Sequence, residues 1–143
     1  MEPSRNLLYW LVLTGLPTLI GCGGGAPVEM VPVTGSVKFD DGTIPTGEVA
    51  TVYFEPAAGG NQALRKAASS PIDPQDGSFR MTTVHPGDGA IVGTYKVIFE
   101  VHKTYLGRES VVPEKYTNPD TTPFEVTVGS GGASQKDFVL TKR

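Results

Sequence analysis

Cysteine is nearly absent from this sequence: Cys22 is the only one in 143 residues. That excludes an internal disulfide, a cysteine-based zinc site and a CxxC redox pair, so the core must hold without staples. Histidine is almost as scarce. His85 and His102 are the only two, and no HExxH or His-x-His spacing occurs, so the sequence offers no metal site and implies no cofactor. Neither sign of charge dominates. Lys and Arg (12) against Asp and Glu (15) leave a net charge of −3 without a basic stripe, which argues against nucleic acid as a partner. Helical periodicity is lacking throughout. What is abundant is Gly (18) and Pro (12), enough for many turns but short of a disordered or collagen-like composition.

The N-terminus stands apart. Met1 to Asn6 is polar and carries about one positive charge, and Leu7 to Ile20 (LLYWLVLTGLPTLI) is mostly apolar. Fourteen helical residues reach roughly 21 Å, short of a hydrocarbon core of roughly 30 Å. That length suits the hydrophobic region of a signal peptide, with Gly15 and Pro17 breaking the helix near its end. A buried N-terminal helix is the alternative.

Leu19-Ile20-Gly21-Cys22 resembles the bacterial lipobox. The resemblance implies that the Cys22 thiol accepts a diacylglyceryl group and that cleavage falls between Gly21 and Cys22. The freed amine then takes a further acyl chain, and two or more chains give stable anchoring. The competing reading is an ordinary buried cysteine. Gly23-Gly24-Gly25-Ala26-Pro27 has no apolar face to bury. About eight residues of such a tether span roughly 16 Å. The expected organisation is therefore a lipoprotein signal peptide over 1–21, a lipidated cysteine and tether over 22–30, and a domain over 31–143. Because Gly23 rather than aspartate follows the cysteine, the chain is similar to lipoproteins sent to the periplasmic face of the outer membrane.

From Val31 onward the apolar period is two. Val31, Val33, Val37 and Phe39 alternate with polar residues, as do Ala50, Val52 and Phe54. Residues 64–72 read as a plain edge strand, and Phe79 and Met81 follow an Asp76-Gly77 turn. Tyr95, Val97, Phe99 and Val101 form the longest strand, with Ile98 interrupting its polar side. Phe124, Val126 and Val128, then Phe138 and Leu140, supply two more. Asp41-Gly42, Asp76-Gly77 and Asp88-Gly89 place glycine where positive φ is needed. The pattern predicts an all-β, seven-stranded antiparallel Greek-key β-sandwich. One long irregular segment, Tyr105 to Thr122, interrupts it. Such a connection is either functional or a crossover between sheets.

Val33-Thr34-Gly35-Ser36-Val37, followed by Asp41-Gly42-Thr43-Ile44-Pro45-Thr46-Gly47-Glu48-Val49, resembles the opening of carboxypeptidase regulatory-like, transthyretin-like domains. Asp73 to Phe79 and Gly93-Thr94-Tyr95-Lys96-Val97 look like later motifs of that family. Glu48 and Pro74 depart from its usual pattern. The resemblance spans about 31–141 and implies the fold; its glycines and aspartates shape turns and are not reagents. A ureide-ring hydrolase on this fold ends in Tyr-Arg-Gly-Ser, whereas this chain ends Leu140-Thr141-Lys142-Arg143.

No serine lies in a GxSxG elbow, and the Asp40–Gly42 and Asp73–Gly77 stretches lack the ligand spacing of an EF-hand. No catalytic residue is expected, and the chain is not read as an enzyme. Two functional classes stay open. One is a non-catalytic membrane-tethered module that binds or spaces a partner at the cell envelope. The other is an envelope solute- or glycan-binding protein that uses the 105–122 loop, with Tyr105, Arg108 and Tyr116 as candidate contacts.

Overall fold

A computed structural model of the protein describes residues 28–59, 66–132 and 134–142. The expected signal peptide, the lipobox-like residues Leu19, Ile20 and Gly21, and Cys22 itself lie outside the described residues. The described chain is all-β, with strands β1 (Met30–Val31), β2 (Val33–Phe39), β3 (Val49–Pro56), β4 (Ala68–Pro71), β5 (Ser78–Arg80), β6 (Ala90–Ile91), β7 (Gly93–His102), β8 (Glu125–Val128) and β9 (Ser134–Leu140). Its one helical element is a 3-10 turn, Glu114–Tyr116.

Three sheets result: β5-β2-β9, β4-β3-β7-β8 and the small β1-β6 pair. The two larger sheets face each other, as a β-sandwich requires, because their inward residues are the apolar half of each alternation. Val33, Val37 and Phe39 of β2 are buried together with Val52 and Phe54 of β3 and Tyr95, Val97, Phe99 and Val101 of β7. Aromatic rings meet across the gap: Phe54 is 6.4 Å from Phe79 and 6.2 Å from Phe138, and Phe99 is 5.6 Å from Phe138. Residues 64–72 were expected to form an edge strand; β4 is the terminal strand of its sheet.

Most pairings are antiparallel, but β2 and β9 run parallel in a seven-residue register from Val33↔Ser134 to Phe39↔Leu140. The purely antiparallel expectation is corrected here. Strands of the two larger sheets alternate in direction along the chain. The first and the last therefore point the same way, and the fold makes them neighbours. Which strands are neighbours is not encoded in a period of two.

The strands define two ends of the molecule. At the first, Met30 pairs with Ile91, the Val92 amide donates to the Glu29 carbonyl, and Gly131 donates to the Glu29 carboxylate. Glu29 and Met30, expected within the tether, are thus part of the fold. β7 leaves this end and, at ten residues, runs roughly 33 Å to the second. There lie the β2–β3 turn, the start of β3 and the beginning of the 105–122 loop. The glycines of all three Asp-Gly turns have positive φ.

Candidate functional site

The 105–122 loop is built from residues that cannot continue a strand ladder for long. Ser110 bridges to His102 and the Val111 amide donates to the Val101 carbonyl at 2.8 Å, so the segment first follows the edge of β7. Pro113 then diverts it into the 3-10 turn, because proline offers no N–H to the ladder. Asn118 tightens the return by accepting from the Asp120 amide at 2.8 Å. Buried Thr122 re-docks the chain, its hydroxyl donating to the Val97 carbonyl at 2.6 Å. The loop thus joins β7 to its neighbour β8 within one sheet, which corrects the expected crossover between sheets, and it covers one side of the sandwich.

The three candidate contacts separate. Tyr116, 3% exposed, is a core residue and not a surface contact. Its ring stacks on Phe124 at 5.5 Å and meets Phe99 edge-on at 6.5 Å. Its hydroxyl lies 2.9 Å from the Thr141 hydroxyl and accepts from the Thr141 amide at 3.0 Å. The open flank between the sheets needs an aromatic filler, and the turn after Pro113 supplies it. Tyr105 and Leu106, by contrast, stand 77% and 98% exposed at the second end. Their turn is fixed by the Glu48 carboxylate on the Tyr105 amide (2.8 Å) and by the Gly107 amide on the Thr104 carbonyl (3.1 Å).

Arg108 lines a cleft of about 500 Å³ between the loop and the outer face of the four-stranded sheet. Glu109, Ser110, Glu114 and Thr117 complete the loop wall, and Tyr53, Ile98, Glu100 and His102 line the strand side. The Tyr53 hydroxyl donates to Glu100 Oε2 at 3.1 Å. Burial, reinforced by the Glu100 carboxylate, raises the Tyr53 pKa, so this phenol stays a donor. His102 Nε2 lies 3.5 Å from Glu100 Oε1, and its Nδ1 lies 3.4 Å from the Glu109 carbonyl. Carbonyl and carboxylate both only accept, so a singly protonated ring donates to one of them and a doubly protonated ring to both.

Chemically the cleft can bind. The Ser110 hydroxyl donates to the Val112 carbonyl and the Thr117 hydroxyl to the Glu114 carbonyl, both at 2.8 Å, while both histidine nitrogens face other oxygens. That leaves no hydroxyl–imidazole pair of the kind nucleophilic catalysis requires. His85 sits in the 82–88 turn, where its amide donates to Asp88. Among the described residues no group of three or more His, Cys, Asp or Glu is placed to hold a metal ion. The suspected cation loops are Asx turns: Asp73 accepts from the Gln75 amide and Asp76 from the Ser78 amide, both at 2.8 Å. Asp41 instead takes the Thr43 amide and the Lys142 ammonium, and its pKa is strongly lowered, chiefly by Lys142.

Sequence reasoning placed Arg108 and missed Tyr53, Glu100 and His102. A signal for them existed. Ile98 interrupts the polar side of β7, and it is the Cα partner of Tyr53. Two bulky side chains side by side on an outward face mark a covered surface. No family model matches the chain, and neither the curated proteins nor the solved structures provide a match.

Proposed function

We propose that the chain is a membrane-tethered, non-catalytic β-sandwich lipoprotein of the bacterial cell envelope, anchored through Cys22 at the periplasmic face of the outer membrane. On this reading the sandwich is a seven-stranded Greek key of the transthyretin-like, carboxypeptidase regulatory-like type, used as a binding or spacing module. The observation that supports it is polarity of placement. The chain enters the fold at the first end, through Glu29 and Met30, whereas the exposed Tyr105–Leu106 turn and the loop cleft begin at the second. A short tether on the entering side would hold the first end toward the bilayer and present the second outward. Radiolabelled palmitate should enter the full chain and not Cys22→Ala, which should accumulate uncleaved. Equal labelling of both forms would refute the anchor.

A second reading, an envelope solute- or glycan-binding protein acting through the 105–122 loop, is favoured by one observation: that loop forms a wall of the Arg108 cleft. It requires Arg108→Ala to reduce ligand capture while leaving the anchor intact.

A further inference from the structure

The outer face of the three-stranded sheet is polar across all three strands over two successive rows, and the exposed Val139 beside Lys38 ends the polar stretch. The registers set two rows on it. Arg80, Thr34 and Gln135 are successive Cα partners, and so are Ser78, Ser36 and Asp137. Strand spacing makes this floor roughly 10 Å wide, with the rows roughly 7 Å apart. Pro71, Asp73 and Pro74 line it on one side and Pro86 and Gly87 on another, giving a hollow of about 1140 Å³.

Two of the floor residues are held in place. Asp137 accepts from the Ser36 hydroxyl at 2.8 Å and from the Gln135 amide at 3.4 Å, which fixes its plane while leaving lone pairs free. Arg80 donates Nε to the Gly87 carbonyl at 3.3 Å. Its guanidinium can lie there only because position 87 has no side chain: a Cβ would sit 2.6 Å from Nε, and φ is +71°. Among the described residues Arg80 has no ion-pair partner, and no protein acceptor takes its Nη–H donors.

We infer that this hollow binds a neutral, polyhydroxylated chain, a short oligosaccharide, across the Arg80–Thr34–Gln135 and Ser78–Ser36–Asp137 rows. Charge selects the class. One guanidinium faces two carboxylates, Asp137 and Asp73, so an anion meets repulsion from the same lining that would attract it. The two rows present no apolar side chain, and the apolar lining is limited to Pro71, Pro74 and Pro86 at the walls and the almost wholly buried Ile72 and Phe79. A planar fork of donors at one corner and a planar carboxylate at the opposite corner each match a pair of vicinal hydroxyls, with hydroxyls between them that both donate and accept. The site is separate from the loop cleft and does not depend on the anchor.

The test uses the full chain solubilised in detergent and titrated calorimetrically with cellotetraose, maltotetraose, chitotetraose and xylotetraose. At least one should bind, and Arg80→Ala and Asp137→Ala should each weaken it tenfold or more, with Lys96→Ala, on the other sheet, unchanged. Arg80→Lys keeps the charge, loses the fork and should also weaken binding; Gly87→Ala should match Arg80→Ala. Circular dichroism of Arg80→Lys checks that the fold persists. Binding by none of the four sugars overturns the proposal. So does loss caused by Lys96→Ala, or full retention in a folded Arg80→Lys.

Discussion

The two flanks where the sheets come together are closed by different means. On one, β4 exchanges backbone hydrogen bonds with the segment just past β5: Ser69 and Thr82 donate to each other's carbonyls at 2.9 Å, and the Arg80 amide donates to the Ser70 hydroxyl at 3.0 Å. On the other, β8 and β9 do not pair. Side chains fill the gap instead, with Phe124 5.3 Å from Phe138 and Tyr116 stacked on Phe124. A backbone seam tolerates most side chains, whereas an aromatic seam is written in a few residues and fails when one is lost. Among the described residues the aromatic flank also leaves the outer edge of β9 without a partner strand. Its Lys136 falls on the inward-facing side of the alternation, a device that discourages pairing with a second chain.

The strongest test of that contrast is at the aromatic flank. Phe99 meets Phe124, Phe138 and Tyr116, and Phe99→Ala should cost about 3–5 kcal/mol in chemical denaturation. A cost under about 1 kcal/mol would mean the aromatic cluster is not what closes that side.

At the backbone flank, Ser70→Ala should cost about 1–2 kcal/mol, since it strands the Arg80 amide next to a buried position. Tyr116→Phe keeps the ring and loses the Thr141 contacts, so about 0.5–1.5 kcal/mol is expected. If Tyr116→Phe cost as much as Phe99→Ala, the polar latch and not the ring would dominate. Lys96→Ala removes an exposed pair with Glu125 and should change stability by less than about 0.5 kcal/mol.

Acid should distinguish the flanks without mutation. Asp76, in the β4–β5 turn, has its pKa lowered by the Ser78 side chain and amide. A carboxylate with a lowered folded pKa contributes stability above its unfolded value of about 3.9, and that contribution is lost as pH falls through the folded value. Hydrogen exchange, corrected for its intrinsic pH dependence, should therefore show residues 73–78 loosening below about pH 4 before 116–124 do. Simultaneous loosening would argue against a local role for Asp76.

Much of this architecture was legible as alternation. The buried faces of β2, β3 and β7 follow directly from Val37, Phe54 and Phe99 and their neighbours two residues away, and the Asp-Gly turns announced themselves. Strand neighbours were not legible, because a period of two names a face and not a partner. The two-residue β1–β6 pair is too short to carry a period at all. Tyr116 was misread because an aromatic between prolines looks like a loop tip; only the position of Phe124 and Thr141 makes it a plug. Arg108 was found as a loop cation, while the cleft opposite it depended on pairing β3 with β7.

The parallel β2–β9 pair also governs when the domain can close. Ser36 and Asp137 meet across 101 positions of sequence, so β2 waits for one of its two neighbours until those later residues have been synthesised. Contacts of such long separation carry a loop-closure cost before any reward and slow the search. A chain emerging residue by residue is therefore kept from completing its three-stranded sheet while its leading part is already available to other machinery. On the proposed export route that delay is useful, because a polypeptide threading a secretion channel must still be unfolded when it arrives.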